Sequence, residues 1–154
     1  MAHALLLAFA IGFVAGLRSM TAPALVAWGA HLDWLDLEGT ALSFMSSFAA
    51  VNAFSIFALA ELVADVLPIT PSRIAPVGLI VRIITGALCG ACLSIANGGG
   101  IAVGLIFGII GAVAGAYIGY YARRSLVNGL KVRDIFIAIP EDVVAIGLAY
   151  LIVR

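Results

Sequence analysis

Charge is the scarcest property of this sequence. Its 154 residues include eight lysines and arginines and eight aspartates and glutamates, 10% of the chain, where a soluble domain carries about 25%. The rest is strongly apolar, with 64% hydrophobic residues and a mean hydropathy of +1.22. So few charges cannot cover so apolar a chain in water, and an integral membrane protein is expected. Lysine occurs once, as Lys131, and no basic patch alternates with aromatic residues, which argues against nucleic-acid binding. Cysteine is nearly as scarce. Cys89 and Cys92 form a C-x-x-C, but relaying electrons through membrane thiols takes a second pair, so both are read first as small packing side chains. His3 and His31 make no metal set with them. No cofactor and no enzymatic activity are expected. A positive n-region is also missing: Met1-Ala2-His3 precedes the first apolar run and Arg18 follows it, so residues 4–17 are read as a retained helix, not a cleaved signal.

What remains is long apolar runs. A helix needs about 20 such residues to cross a bilayer, and five segments qualify: 4–20, 41–67, 77–96, 101–121 and 135–153. The first continues past Pro23 toward Ala30 as a broken or re-entrant helix. The expected fold is therefore all-α, a single polytopic membrane helix bundle over residues 1–154 with about five spans. Arg73 lies in the second connection, and Arg123, Arg124, Lys131 and Arg133 flank the fourth, while the first is acidic and the third uncharged. The positive-inside rule then puts connections two and four in the cytoplasm, with the N-terminus cytoplasmic and the C-terminus outside. That assignment leaves Arg18 on the outer side.

Glu61 and Asp65 stand four residues apart in the second segment, on one face of a helix. A charge at the centre of a span costs about 2.5–3.5 kcal/mol or more and is a functional hypothesis by default. At six residues from Pro68, Glu61 would lie about 9 Å deep. Protonation is the natural mechanism for such a pair, and Arg82 is its expected counter-charge, with Arg73 a further candidate. Glu141 and Asp142 follow Pro140 inside the fifth segment, where a freed backbone carbonyl calls for a polar pocket. Arg18, Ser19, Thr21 and Pro23 interrupt the first segment; free backbone donors and a guanidinium there would suit a carboxylate or phosphate.

Residues 57–64 can be laid on 137–144, each leading to a glutamate, Glu61 or Glu141. Each follows a glycine-bearing helix that ends in Arg-Ser, at Arg18-Ser19 and Arg124-Ser125. With the topology above the paired helices would run in opposite directions, the signature of an inverted repeat. Glycines recur at spacing four through Gly100, Gly104, Gly108 and through Gly111, Gly115, Gly119, with Gly86 and Gly90 opposite, a glycine zipper suited to close helix packing and homo-oligomers.

The chain resembles the bacterial integral-membrane family termed domain of unknown function 4126. The resemblance rests on Gly16-Leu17-Arg18-Ser19 with Pro23, on Glu61-Leu62-Val63-Ala64-Asp65 with Leu67-Pro68, and on Thr70-Pro71-Ser72-Arg73, Pro76, Arg82 and Gly86-Ala87. It implies a bacterial inner-membrane location and supplies no activity. The leading expectation is a small transporter or channel-like permease for an ion or small polar solute. Glu61, Asp65, Glu141 and Asp142 would carry a proton or cation, and Arg18, Ser19, Arg73 and Arg82 would bind an anion or balance charge. A lipid-headgroup binding or translocating protein, using Arg18, Arg73 and Arg82, comes second, and a membrane thiol oxidoreductase third.

Overall fold

The computed structural model describes residues 2–64, 74–130 and 135–154, with side chains at all of these except 128, 130 and 135–138. Among them are six α-helices and one 3-10 turn, Ser43–Ser46, and no strand. The helices are α1 (Ala2–Leu17), α2 (Thr21–His31), α3 (Phe48–Ala64), α4 (Pro76–Ala96), α5 (Ile101–Leu130) and α6 (Ile135–Val153). By length and composition, residues 76–96 and 101–127 can each cross a membrane, while α1 and α3 are shorter apolar helices. Pro76 opens α4, where its missing N–H costs nothing and its fixed φ is already helical. Gly98, at φ 72°, lets the chain turn out of α4: its N–H reaches Ile95 O at 2.9 Å, and that of Gly99 reaches Ser94 O at 2.7 Å.

Glycine contacts fix the directions of the first layer. An added Cβ at Gly12 would collide with Gly108 and one at Gly16 with Ala112, so the numbers rise together and α1 runs parallel to α5. A Cβ at Gly90 would meet Gly104 O at 2.5 Å and one at Gly86 would meet Gly108 O at 2.9 Å, so α4 is antiparallel to α5. The glycine rows of α5 are thus used within the chain: Gly104 and Gly108 take α4, Gly111 and Gly115 take α1. The backbones approach because no side chain stands between them.

The second layer is α2, α3 and α6. His31 faces the ring of Phe48, Trp28 Nε1 donates to Ser55 Oγ at 3.1 Å, and Glu61 meets Ser19, so α2 and α3 are antiparallel. Asp142 meets Arg18 and Val153 meets Gly29, so α2 and α6 are parallel. Arg123 of α5 pairs with Glu141 of α6, close to where the chain passes from one helix to the other, which makes those two antiparallel. It follows that α2 runs opposite to α1. The expected broken first segment is therefore a helical hairpin, re-entrant in form, and its turn is Arg18-Ser19-Met20. Eight of the eleven residues of α2 are buried, whereas α3 buries Val51 alone.

This geometry corrects the inverted repeat. Its two Arg-Ser helices, α1 and α5, were expected to oppose each other and instead lie side by side in the same direction. The short apolar match carried no information on direction; the glycine faces set it. α6 continues as a helix through Pro140.

A polar centre at the turn of the α1–α2 hairpin

Breaking a helix leaves carbonyls without donors on one side and N–H groups without acceptors on the other. Here both sides are closed by charged side chains from other helices. Glu61 of α3 brings its carboxylate to the start of α2. Oε1 accepts from the Ser19 N–H at 2.8 Å and the Ser19 hydroxyl at 2.7 Å, and Oε2 accepts from the Met20 N–H at 2.9 Å. Met20, the N-cap of α2, makes no side-chain capping bond of its own. Arg82 of α4 closes the other side, its Nε donating to Gly16 O at 3.1 Å and one Nη to Gly78 O at 3.1 Å. Negative charge thus meets the positive end of the α2 dipole, and positive charge meets the negative end of α1. The two charges also face each other, with Arg82 Nη2 4.0 Å from Glu61 Oε1.

Arg18 has the most enclosed side chain of the group, at 0% exposure. Its Nε donates to Asp142 Oδ1 of α6 at 2.5 Å, a charge-assisted contact. One residue earlier on α6, Glu141 turns toward Arg123 of α5, 3.9 Å away. Arg18, Ser19, Glu61, Arg82, Glu141 and Asp142, all singled out in the sequence, therefore gather around the turn and the adjoining start of α6. Asp65 and Arg73 lie outside the described residues. The match between Glu61 and Asp142's neighbour Glu141 survives as a shared place: α3 and α6 both deliver carboxylates to the same turn.

The Ser19 and Met20 N–H groups are free backbone donors of the kind expected at the interruption, and the carboxylate they take is Glu61. Two participants were not singled out: the Gly16 carbonyl, a backbone group that no side-chain pattern announces, and Arg123. Arg123 was read only as a topology signal. Arg82 was expected as the main counter-charge of Glu61, but the nearest partners of that carboxylate are Ser19 and Met20, with the guanidinium standing further off. Cys89 and Cys92 are free thiols fully enclosed in the core cluster, consistent with packing. Among the described residues no group of three or more histidines, cysteines, aspartates or glutamates is arranged to hold a metal. At the opposite end of the molecule, a cleft of about 330 Å³ is bordered by Asp33, Asp36, Glu38 and Ser46.

Compared with known proteins, residues 5–154 match the sequence profile of one family, described as a domain of unknown function, DUF4126. No curated protein and no solved structure matches the chain.

Proposed function

Since the chain belongs to the DUF4126 family, which carries no assigned activity, we propose from its own residues that it is a small multi-pass inner-membrane permease for an ion or small polar solute. The observation that carries this reading is the Glu61 carboxylate seated on the broken backbone of the hairpin. Irregular backbone at membrane depth is tolerated where protein or a wet cavity satisfies it, and transporters place such helix breaks at their binding sites. An uncharged side chain such as asparagine would cap α2 as well; using an ionisable group adds a proton-dependent element.

Two features support the membrane setting. On α5, Ile101 and Tyr120 lie 19 residues apart, roughly 30 Å of helix and the thickness of a hydrocarbon core. Aromatic rings mark both levels, with Trp34 against Tyr150 at 5.7 Å on one side and Tyr120 against Tyr121 at 5.3 Å on the other. The hairpin turn stands beside Ala116, about 6 Å inside the Tyr120 level. The lipid reading draws less support: Arg18 and Arg82 are buried and directed at protein groups.

The test is flux. Proteoliposomes carrying a trapped pH-sensitive dye are challenged with a panel of monovalent ions under an imposed pH gradient. The native chain is expected to dissipate the gradient faster than empty vesicles, and Glu61→Gln to bring the rate back to theirs. Native vesicles indistinguishable from empty ones for every ion, or an unaltered rate in Glu61→Gln, would remove the proposal.

A further inference from the structure

α3 is the helix least committed to the body of the protein, and it carries the carboxylate that closes the hairpin turn. Of its seventeen residues only Val51 is buried, and Phe48, Ile56, Phe57, Leu59 and Val63 are exposed. In lipid an apolar helix face gains nothing from leaving hydrocarbon for protein, because both are equally apolar; packing and polar contacts decide attachment. α1, α4 and α5 have such packing, with glycine faces in backbone contact. Among the described residues α3 is joined to α2 by polar ties at the two ends of their contact: Trp28 to Ser55 near one end, and Ser19 and Met20 to Glu61 near the other. The tie at Glu61 is the charged one, about twice as strong as a neutral hydrogen bond.

We propose that α3 is a proton-operated latch: with Glu61 ionised it is held on the hairpin turn, and with Glu61 neutralised its Glu61 end moves away and uncovers Ser19, Met20 and Arg82. The inference rests on the permease reading for its purpose, but the motion is measurable without flux. Among the described residues the charged groups facing the latch are Arg82 of α4 and Arg18 of the turn, the latter engaged by Asp142 of α6; Asp65 and Arg73 lie outside them. Arg123 of α5 and Glu141 of α6 pair with each other beyond it. Neutral Glu61 keeps one acceptor oxygen yet loses its attraction to Arg82 and to the α2 dipole, so the latch opens as pH falls.

The experiment is a spin-label distance measurement on the full chain in liposomes. Labels are placed at Leu59→Cys on α3 and Ile84→Cys on α4, both on exposed faces, in a Cys89→Ala, Cys92→Ala background. At neutral pH a single short-distance population is expected; in acid most of it is lost to a longer one, reversibly. Glu61→Gln is expected to show the longer population at every pH, and Glu141→Gln to follow the native chain. The acid titration uses the native glutamate, so the test survives a Glu61→Gln chain that fails to fold. Distances unchanged by acid, or shifted equally by Glu141→Gln, overturn the latch. A native chain that shows the acid-driven distance change but no flux above empty vesicles would overturn the permease reading alone.

Discussion

Arg18 and Asp142 illustrate how much a single contact in this protein has to carry. A guanidinium with no exposure, opposite a carboxylate at 16%, is stabilised there by the neutralisation each gives the other. Removing one partner of a buried ion pair costs about 3–5 kcal/mol, most of it the penalty of the charge left behind. Asp142→Ala is therefore expected to lower the midpoint of thermal unfolding in detergent sharply, and Asp142→Asn, which keeps an acceptor, to lower it less. Arg18→Lys is expected to behave as a damaging change, because a single ammonium replaces a planar fork. Equal midpoints for Asp142→Ala and the native chain would show that Arg18 finds another acceptor. Glu61→Ala is expected to cost roughly 2–4 kcal/mol by the same measurement, since it strands two backbone N–H groups and a hydroxyl. These residues were legible in the sequence because charge is so scarce here: every ionisable group inside an apolar run stands out. Their pairing was less legible. Glu61 was matched to Arg82 by charge, and the free donors at the interruption were expected to take a carboxylate, but that the two belong together depends on α3 packing against α2, which neither local pattern contains.

Among the helices, the pattern of glycines predicts where substitutions will hurt. A Cβ at Gly108 would collide with the Gly86 carbonyl and crowd Gly90 of α4, and the Gly108 carbonyl in turn stands where a Cβ of Gly12 on α1 would be. A methyl group there must push two backbones apart, and overpacking of this kind costs about 1–3 kcal/mol. Gly147 of α6 has nothing within 4 Å of an added Cβ, so Gly147→Ala is expected to stabilise by about 0.5–1 kcal/mol, the usual gain of alanine over glycine in a helix. A detergent unfolding series that failed to separate Gly108→Ala from Gly147→Ala would contradict the close packing of α1, α4 and α5. The spacing-four rows were readable in advance, but their partner was not: a small-residue face serves a neighbour in the same chain or in another copy equally well. The same ambiguity affected the first segment. Arg18, Ser19, Thr21 and Pro23 announced an interruption, yet apolar residues on both sides left open whether the chain continued or turned back. What decides it is the charge closure at the turn, made by α3, α4 and α6 together, and no local pattern contains those three helices.

For the whole molecule, the hairpin changes the proposed topology. Five alternating spans put the N-terminus in the cytoplasm and stranded Arg18 on the outer side, against the positive-inside rule. With α2 running back along α1, the first turns of α4 and α6 and the Arg123 end of α5 lie toward the end of the molecule that holds the turn. Among the described residues that end carries Arg18, Arg82, Arg123 and Arg124, and in the sequence Arg73 precedes α4 while Lys131 and Arg133 precede α6. The other end holds the acidic stretch with Asp33, Asp36 and Glu38, together with the start of α1 and the end of α6. From the count of lysine and arginine near span ends we expect the turn toward the cytoplasm and the N-terminus outside, an arrangement in which Arg18 would no longer be an exception. Arg154 remains one, held by the Tyr150 hydroxyl at 3.0 Å. The two topologies agree on the C-terminus and on the acidic connection, so only the N-terminus separates them. An epitope added before Met1 is expected to be removed by protease from intact spheroplasts, along with one added after Arg154. Labelling of Gly129→Cys by a membrane-impermeant maleimide is expected only after lysis. Protection of the N-terminal epitope until lysis, with the C-terminal one still cleaved, would restore the odd number of crossings and require α2 to pass on through the membrane instead of returning beside α1.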